Sequence, residues 1–405
     1  MKALFVTRYF PRPANAGDLL YSDQMIMLFS KLAEEVDVFC APHPDSAGGG
    51  EAAFPSNVTF HMDAAARRNL VRYALTTTPK AANDFATLHN RRALLALLRR
   101  TEPDMIVVDH IGSSWCVDVL RRYMRETAKT PRIVYITHNE ETSTRLSIAR
   151  RSVFPWNVAH LLDARRIQLR DRRILAMCDL LTCIAEADRD LHLMRFGRPS
   201  IVLPATYTGS VVPNRSIGAQ VPRRVIVVSG FQWSAKLLNL DSFLSEGAEA
   251  FARAGVKLEI IGKMSSRDKR RFSRKFPTAA IRGTVDKIEP FVANARMGLL
   301  IDSAGGGFKL SLLTYIFGRL PIAALGDAVR GLGQRCHMIE RETIRDLVAA
   351  VVERIDDFDF LNDMQEKQFD AMQSYLSDAS NLSALGQGLL SLGRETGSAA
   401  LEKGM

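Results

Sequence analysis

The feature that most constrains this chain is a repeated alternation of short β-rich apolar runs with longer stretches of helical spacing. ALFVT, VDVFC, NVTFHM, MIVVDH, IVYITH, LLTCIA and SIVLP are the strand candidates of the first half. VIVVSG, KLEIIGK, AAIRG, MGLLID and LPIAAL follow in the second. Strands separated by helices form parallel sheets with crossover connections. A chain of 405 residues is also longer than a single core usually supports. Around residues 205–223 the stretch TYTGSVVPNRSIGAQVPRR is rich in Gly, Pro, Ser and Asn and has no helical periodicity, which marks a boundary. The expected fold is therefore α/β, with two Rossmann-like doubly wound domains, residues 1–205 and 206–405, facing across a cleft.

Composition narrows the class of protein. With 47% hydrophobic and 24% charged residues the chain reads as globular. No apolar stretch approaches the roughly 20 residues needed to cross a bilayer. MKALFVTRYF is broken early by Arg8 and reads as a first buried strand rather than a signal segment. The five cysteines form no C-x-x-C pair, so a disulfide framework is not expected and a reducing, cytoplasmic compartment is. The net charge of +10 is concentrated in Arg91–Arg100, Arg121–Arg132, Arg145–Arg173 and Arg267–Lys275. These clusters lie on helical patterns such as RRALLALLRR with little aromatic surface, so nucleic acid is not the expected partner. Peripheral contact with anionic lipid at the inner face of a cell membrane is one reading of them, and a solvated basic surface is the other.

Doubly wound sheets bind ligands beyond the carboxyl ends of their strands, and the polar residues worth noting fall there. Gly17 follows the first strand in TRYFPRPANAGD, Asp109 and His110 end MIVVDH, and His138 ends IVYITH. In the string THNEE, His138 is flanked by Thr137, Asn139 and two glutamates, a setting suited to a sugar hydroxyl or to a proton near neutral pH. Gly230, Lys236 and Asn239 follow VIVVSG. Gly305, Gly306 and Gly307 follow MGLLID and open onto Phe308, Lys309 and a helical pattern. Backbone N–H groups at such a helix entrance, with the Lys309 ammonium, can converge on a diphosphate. No histidine grouping has metal-ligand spacing, and no protein-bound metal is expected.

The ordered strings TRYFPRPANAG, THNEE, IAEADRD, SGFQWSAKLLN and GGGFKLSLLTYIFGRLP resemble those of two-domain GT-B glycosyltransferases, specifically those similar to glycosyltransferase family 4. The resemblance implies an N-terminal acceptor-binding domain and a C-terminal domain that binds a UDP- or GDP-sugar as donor, with no tightly bound cofactor. It implies Gly17 near the donor diphosphate and the acceptor, and His138 as the active-site histidine, with Asn139 and Glu141 completing the pattern. It places Lys236 at the pyrophosphate and Gly305, Gly306, Gly307, Phe308 and Lys309 around the nucleotide diphosphate. Asp109 and His110, from their place at the end of the preceding strand, are read as acceptor-side or secondary candidates. The family's E-x7-E glutamates are absent, since Gly306 and Thr314 occupy their positions, and Thr314 is left as the candidate ribose contact. The function implied is sugar transfer to a glycan, lipid-linked, in surface or exopolysaccharide biosynthesis. A non-catalytic GT-B protein that binds a glycan or a partner transferase is the alternative, and a nucleotide-sugar epimerase is a third reading.

Overall fold

The computed structural model describes residues 1–402 apart from 15, 44–53, 67–72, 74–75, 233, 303–308 and 330–335. It divides into two units, Met1–Ala205 with Asp378–Met405, and Thr206–Ser377.

The first unit is built on a seven-stranded sheet whose hydrogen-bonded neighbours are all parallel. Its strands are β1 (Lys2–Tyr9), β2 (Glu35–Ala41), β3 (Val58–His61), β4 (Met105–Asp109), β5 (Arg132–Thr137), β6 (Leu180–Cys183) and β7 (Ile201–Val202). They lie in the order β3-β2-β1-β4-β5-β6-β7. Composition agrees with which strands are central and which are edges. In β1, Leu4, Phe5 and Val6 have no exposed surface, as a strand covered by helices on both faces requires, whereas the edge strands β3 and β7 are short and half-exposed. Each such buried Leu, Phe or Val contributes about 1.5–3 kcal/mol. The longer crossover helices are α1 (Gly17–Ser30), α2 (Leu88–Thr101), α3 (Val117–Thr127), α4 (Glu141–Arg151), α5 (Trp156–Leu175) and α6 (Glu186–Phe196).

The second unit carries a six-stranded parallel sheet, β8 (Arg224–Val228), β9 (Lys257–Ile261), β10 (Ala279–Gly283), β11 (Met297–Leu300), β12 (Ile322–Leu325) and β13 (Ile339–Arg341). The order is β10-β9-β8-β11-β12-β13. Edge strand β13, sequence IER, escapes sequence reading because only Ile339 of its three residues is buried. Its longer helices are α7 (Ser234–Arg253), α8 (Ser266–Lys275), α9 (Leu310–Phe317), α10 (Ile344–Arg354) and α11 (Phe358–Gln373). Leu240, Phe243, Leu244 and Phe251 of α7 enter one core with Leu347 and Val351 of α10.

The last helix, α12 (Asp378–Glu402), departs from a second domain that runs to the C-terminus. It belongs to the first unit. Asn381 donates to the Pro204 carbonyl at 2.8 Å, Lys31 pairs with Asp378 at 3.0 Å, and Arg132 reaches the Leu389 carbonyl at 3.2 Å. Gly388 lies against Ile201 and Leu180, where a Cβ would come within 3.2 Å of Ile201. The absence of a side chain there lets α12 close down on β6 and β7.

Candidate functional site

Each sheet reverses its strand order once, between β1 and β4 in the first unit and between β8 and β11 in the second. At such a point the two crossovers leave on opposite faces and open a crevice at the carboxyl ends of the strands. The polar residues singled out in the sequence gather at these two places.

In the first unit the centre is Asp109, the last residue of β4, whose side chain is fully buried. Its Oδ1 lies 2.7 Å from Nε2 of His138, which follows β5, and its Oδ2 accepts from Thr7 Oγ1 of β1 at 2.7 Å and Ser22 Oγ of α1 at 2.5 Å. Burial works to raise the Asp109 pKa, but the charge and hydrogen bond of His138 and the two hydroxyls bring it down to about 2. A carboxylate at Nε2 assigns the imidazole proton to that nitrogen and leaves the lone pair on Nδ1. That Nδ1 atom is buried and has no hydrogen-bond partner among the described residues. A buried unpaired acceptor costs about 1–3 kcal/mol until something donates to it, so it marks a place for a hydroxyl.

His110 frames the same group. Its ring meets His138 edge-on, with centroids 4.9 Å apart, and the Tyr21 ring meets His138 from another side at 4.9 Å. The backbone of His110 is held at φ 67°, a conformation that costs a non-glycine residue about 1–3 kcal/mol and tends to persist at functional sites. Its Nδ1 accepts from the Gly112 N–H at 2.9 Å, which turns Nε2 towards Glu141 Oε1 at 3.6 Å. Burial and the nearby Arg8 guanidinium lower the His110 pKa. Glu141 is pushed up by burial but held down to about 2 by its His110 and Asn139 contacts, and Asn139 Nδ2 donates to it at 3.1 Å. The structure thus brings His138, Asp109, His110, Asn139 and Glu141 into one network. Gly17 is the first, exposed residue of α1, beside Asp18, whose carboxyl is acted on by the charges of His110 and His138. Thr7, Ser22 and Tyr21 were not singled out by sequence. Ser22 and Asp109 are 87 positions apart, and only the convergence of β1, α1, β4 and β5 joins them.

In the second unit the corresponding carboxylate is Asp302, just beyond β11 and 7% exposed. Lys236 of α7 makes a direct ion pair with its Oδ2, Asn239 Nδ2 donates to Oδ1 at 3.1 Å, and Lys309 Nζ lies 3.9 Å from Oδ2. Burial raises the Asp302 pKa, but the charges of Lys236 and Lys309 outweigh it and hold the carboxyl below its usual range. One carboxylate between two ammonium groups leaves a net positive charge at the end of β11. Asp302 itself was not among the sequence candidates, although it closes the quoted run MGLLID. Gly305, Gly306, Gly307 and Phe308 lie outside the described residues. Thr314 is half-buried on α9. At Gly230 a Cβ would meet nothing within 4 Å, so sterics do not demand glycine there. The demanding position is Gly262, after β9, where φ is 142° and a Cβ would sit 1.7 Å from the Ser229 carbonyl oxygen.

Tyr315 fixes α9 against this switch point. Its hydroxyl accepts from the Val228 N–H at 2.8 Å, at the end of β8, and its ring occupies the space left by Gly298, where a Cβ would come within 2.7 Å. Tyr315→Phe keeps the ring and leaves that N–H unpaired, so it is expected to cost about 1–2 kcal/mol. Urea denaturation should show a lower midpoint with an unchanged slope.

Among the described residues, no group of three or more His, Cys, Asp or Glu side chains is placed to hold a metal ion, and no helix is long and apolar enough to cross a membrane. No protein-family model and no curated protein sequence matches the chain. Solved structures match it along nearly its whole length. Sucrose-phosphate synthase from Thermosynechococcus elongatus is 14% identical with a TM-score of 0.68, over 98% of this chain and 100% of that one. Anabaena HepE in complex with UDP and glucose is 12% identical with a TM-score of 0.63, over 96% and 100%. The apo lipopolysaccharide outer core galactosyltransferase WaaB is 14% identical with a TM-score of 0.60, over 96% and 99%. The fold is that of the GT-B glycosyltransferases, two Rossmann-like units in one chain.

Proposed function

We propose that this chain is a glycosyltransferase that moves a sugar from a nucleotide-sugar donor to a hydroxyl of a glycan acceptor, with the first unit holding the acceptor and the second the donor. The observation that carries the reading is the pair of chemically distinct sites at the two switch points. One presents a buried, unpartnered imidazole nitrogen backed by a carboxylate; the other presents two lysines around one carboxylate. In transfer, the bond between the anomeric carbon and the phosphate oxygen breaks, and the departing nucleoside diphosphate takes the electron pair. The acceptor oxygen forms the new glycosidic bond and its proton leaves. His138 Nδ1 is suited to receive a hydrogen bond from a sugar hydroxyl, or that proton, because Asp109 stabilises the imidazolium that would result. Lys236 and Lys309 are suited to the growing charge on the diphosphate. The missing family glutamates leave Thr314 as the ribose contact of this reading.

UDP is the first nucleotide to test, because HepE, which shares the fold, is bound to UDP and glucose. A lipid-linked acceptor, a role in surface or exopolysaccharide biosynthesis, and membership of a group similar to glycosyltransferase family 4 belong to the same proposal. Thermal unfolding in the presence of UDP and GDP should show an increase in Tm with one of them, as any ligand that binds only the folded state produces. The same protein should then release that nucleotide from one sugar donor in a panel. No Tm response to either nucleotide and no turnover would leave a glycan-binding or partner-binding module instead.

A further inference from the structure

Helix α5 buries one apolar strip, Ala164, Ile167, Ile174 and Leu175, and leaves a second one exposed. Asp163, Arg170 and Asp171 are buried, whereas Val158, Leu161, Leu162 and Leu169 are exposed. The inward polar groups fix this orientation. Asp163 accepts from the Lys80 N–H at 2.8 Å and Tyr73 Oη at 3.2 Å and pairs with Arg145 at 3.2 Å. Asp171 accepts from Tyr135 Oη at 2.9 Å, and Arg170 lies 3.5 Å from Asp118. Rotating α5 to hide its leucines would break all of these contacts. The apolar stripe continues through Trp156, the first residue of α5 and 65% exposed, into the turn between α4 and α5, where Phe154 is 79% exposed. Part of the Arg145–Arg173 cluster is therefore internal, and what faces outward is apolar with a basic fringe. Arg150, Arg165, Arg172 and Arg173 are exposed around it, and the only acids of residues 150–173, Asp163 and Asp171, are buried.

We propose that the α4–α5 turn and the outer face of α5 dock on an anionic bilayer surface. Phe154 and Trp156 at the tip would enter the headgroup boundary, where amphipathic aromatic rings are favoured, and the arginines would meet the anionic headgroups. A second copy of the chain is the poorer occupant, because a twofold contact sets the same arginine fringe against itself with no exposed carboxylate to answer it. None of Phe154, Trp156, Arg165 and Arg172 takes part in the contacts described at either switch point, so the proposal stands independently of the sugar-transfer reading.

The test sediments the full chain with vesicles of phosphatidylcholine alone and of phosphatidylcholine mixed with phosphatidylglycerol. The wild-type protein should pellet with the mixed vesicles, lose that binding as salt rises, and show a blue-shifted tryptophan emission that Trp156→Phe abolishes. Phe154→Glu/Trp156→Glu should lower vesicle partitioning by about tenfold or more, and Arg165→Glu/Arg172→Glu should lower it on the mixed vesicles. Both pairs lie at exposed positions, and unchanged Tm values would show that they fold. Equal sedimentation of wild type and Phe154→Glu/Trp156→Glu, or no binding to either vesicle, would overturn the proposal. So would a wild-type dimer in sedimentation velocity that these substitutions convert to monomer, which would assign the face to a subunit contact.

Discussion

His138→Gln is expected to lower kcat for sugar transfer by about 10²–10⁴-fold while the protein remains folded. The glutamine amide can keep a donor to Asp109 but supplies no ring nitrogen with a basic lone pair, so the substitution separates chemistry from packing. Asp109→Asn should lower kcat over a similar range by another route. An asparagine amide can turn either its oxygen or its NH2 towards Nε2, so the lone pair is no longer held on Nδ1. Thr7 and Ser22 also lose their acceptor charge, so a modest fall in Tm is expected with Asp109→Asn. Assays at neutral pH avoid a further complication. The folded-state pKa of Asp109 is depressed to about 2, so the stability it contributes is present above the ordinary carboxylate pKa of about 4 and is lost as pH falls through about 2. Undiminished turnover by both variants would remove His138 and Asp109 from the mechanism.

The second large effect is expected at Lys236. Lys236→Met keeps the aliphatic stem but removes the ammonium that pairs with Asp302 and, in the proposed reading, the donor diphosphate. A hydrogen bond to a charged group contributes about 1.5–3 kcal/mol, so affinity for the nucleoside diphosphate should fall by about 10–100-fold. Isothermal titration with the nucleotide that raises Tm checks this. Lys309→Met should act in the same direction, and Asp302→Asn separates the carboxylate from its lysines. Unchanged affinity in both lysine variants would move the diphosphate site away from the end of β11.

Much of the fold was legible before any coordinates. Runs such as ALFVT and MIVVDH have no polar interruption because both sheet faces are covered, and that continuity reads directly as a buried parallel strand. Legibility of the fold failed in two places, each for its own reason. IER in β13 is an edge segment in which two of three residues face solvent, so it carries no apolar run. The helix α12 follows the second unit in sequence but packs on the first, because Asn381, Leu389 and Gly388 meet partners near residues 132, 180 and 201–204. Chain order does not encode such a return.

The site divides along the same line. The sequence by itself determined which residues stand at strand ends, His138, Asp109 and His110 among them, because strand candidates and their polar termini are local patterns. The tertiary structure alone decided that Thr7, Ser22, Asp109 and His138 form one network and that Asp302 lies between Lys236 and Lys309. It also decided that α5 turns Asp163 and Asp171 inward and Leu161, Leu162 and Leu169 outward. The physical reason is that these arrangements depend on sheet order and helix rotation, which are set by contacts between segments distant in the chain. Thr7 and Ser22 sit 102 and 87 positions from Asp109, and no local periodicity spans that distance.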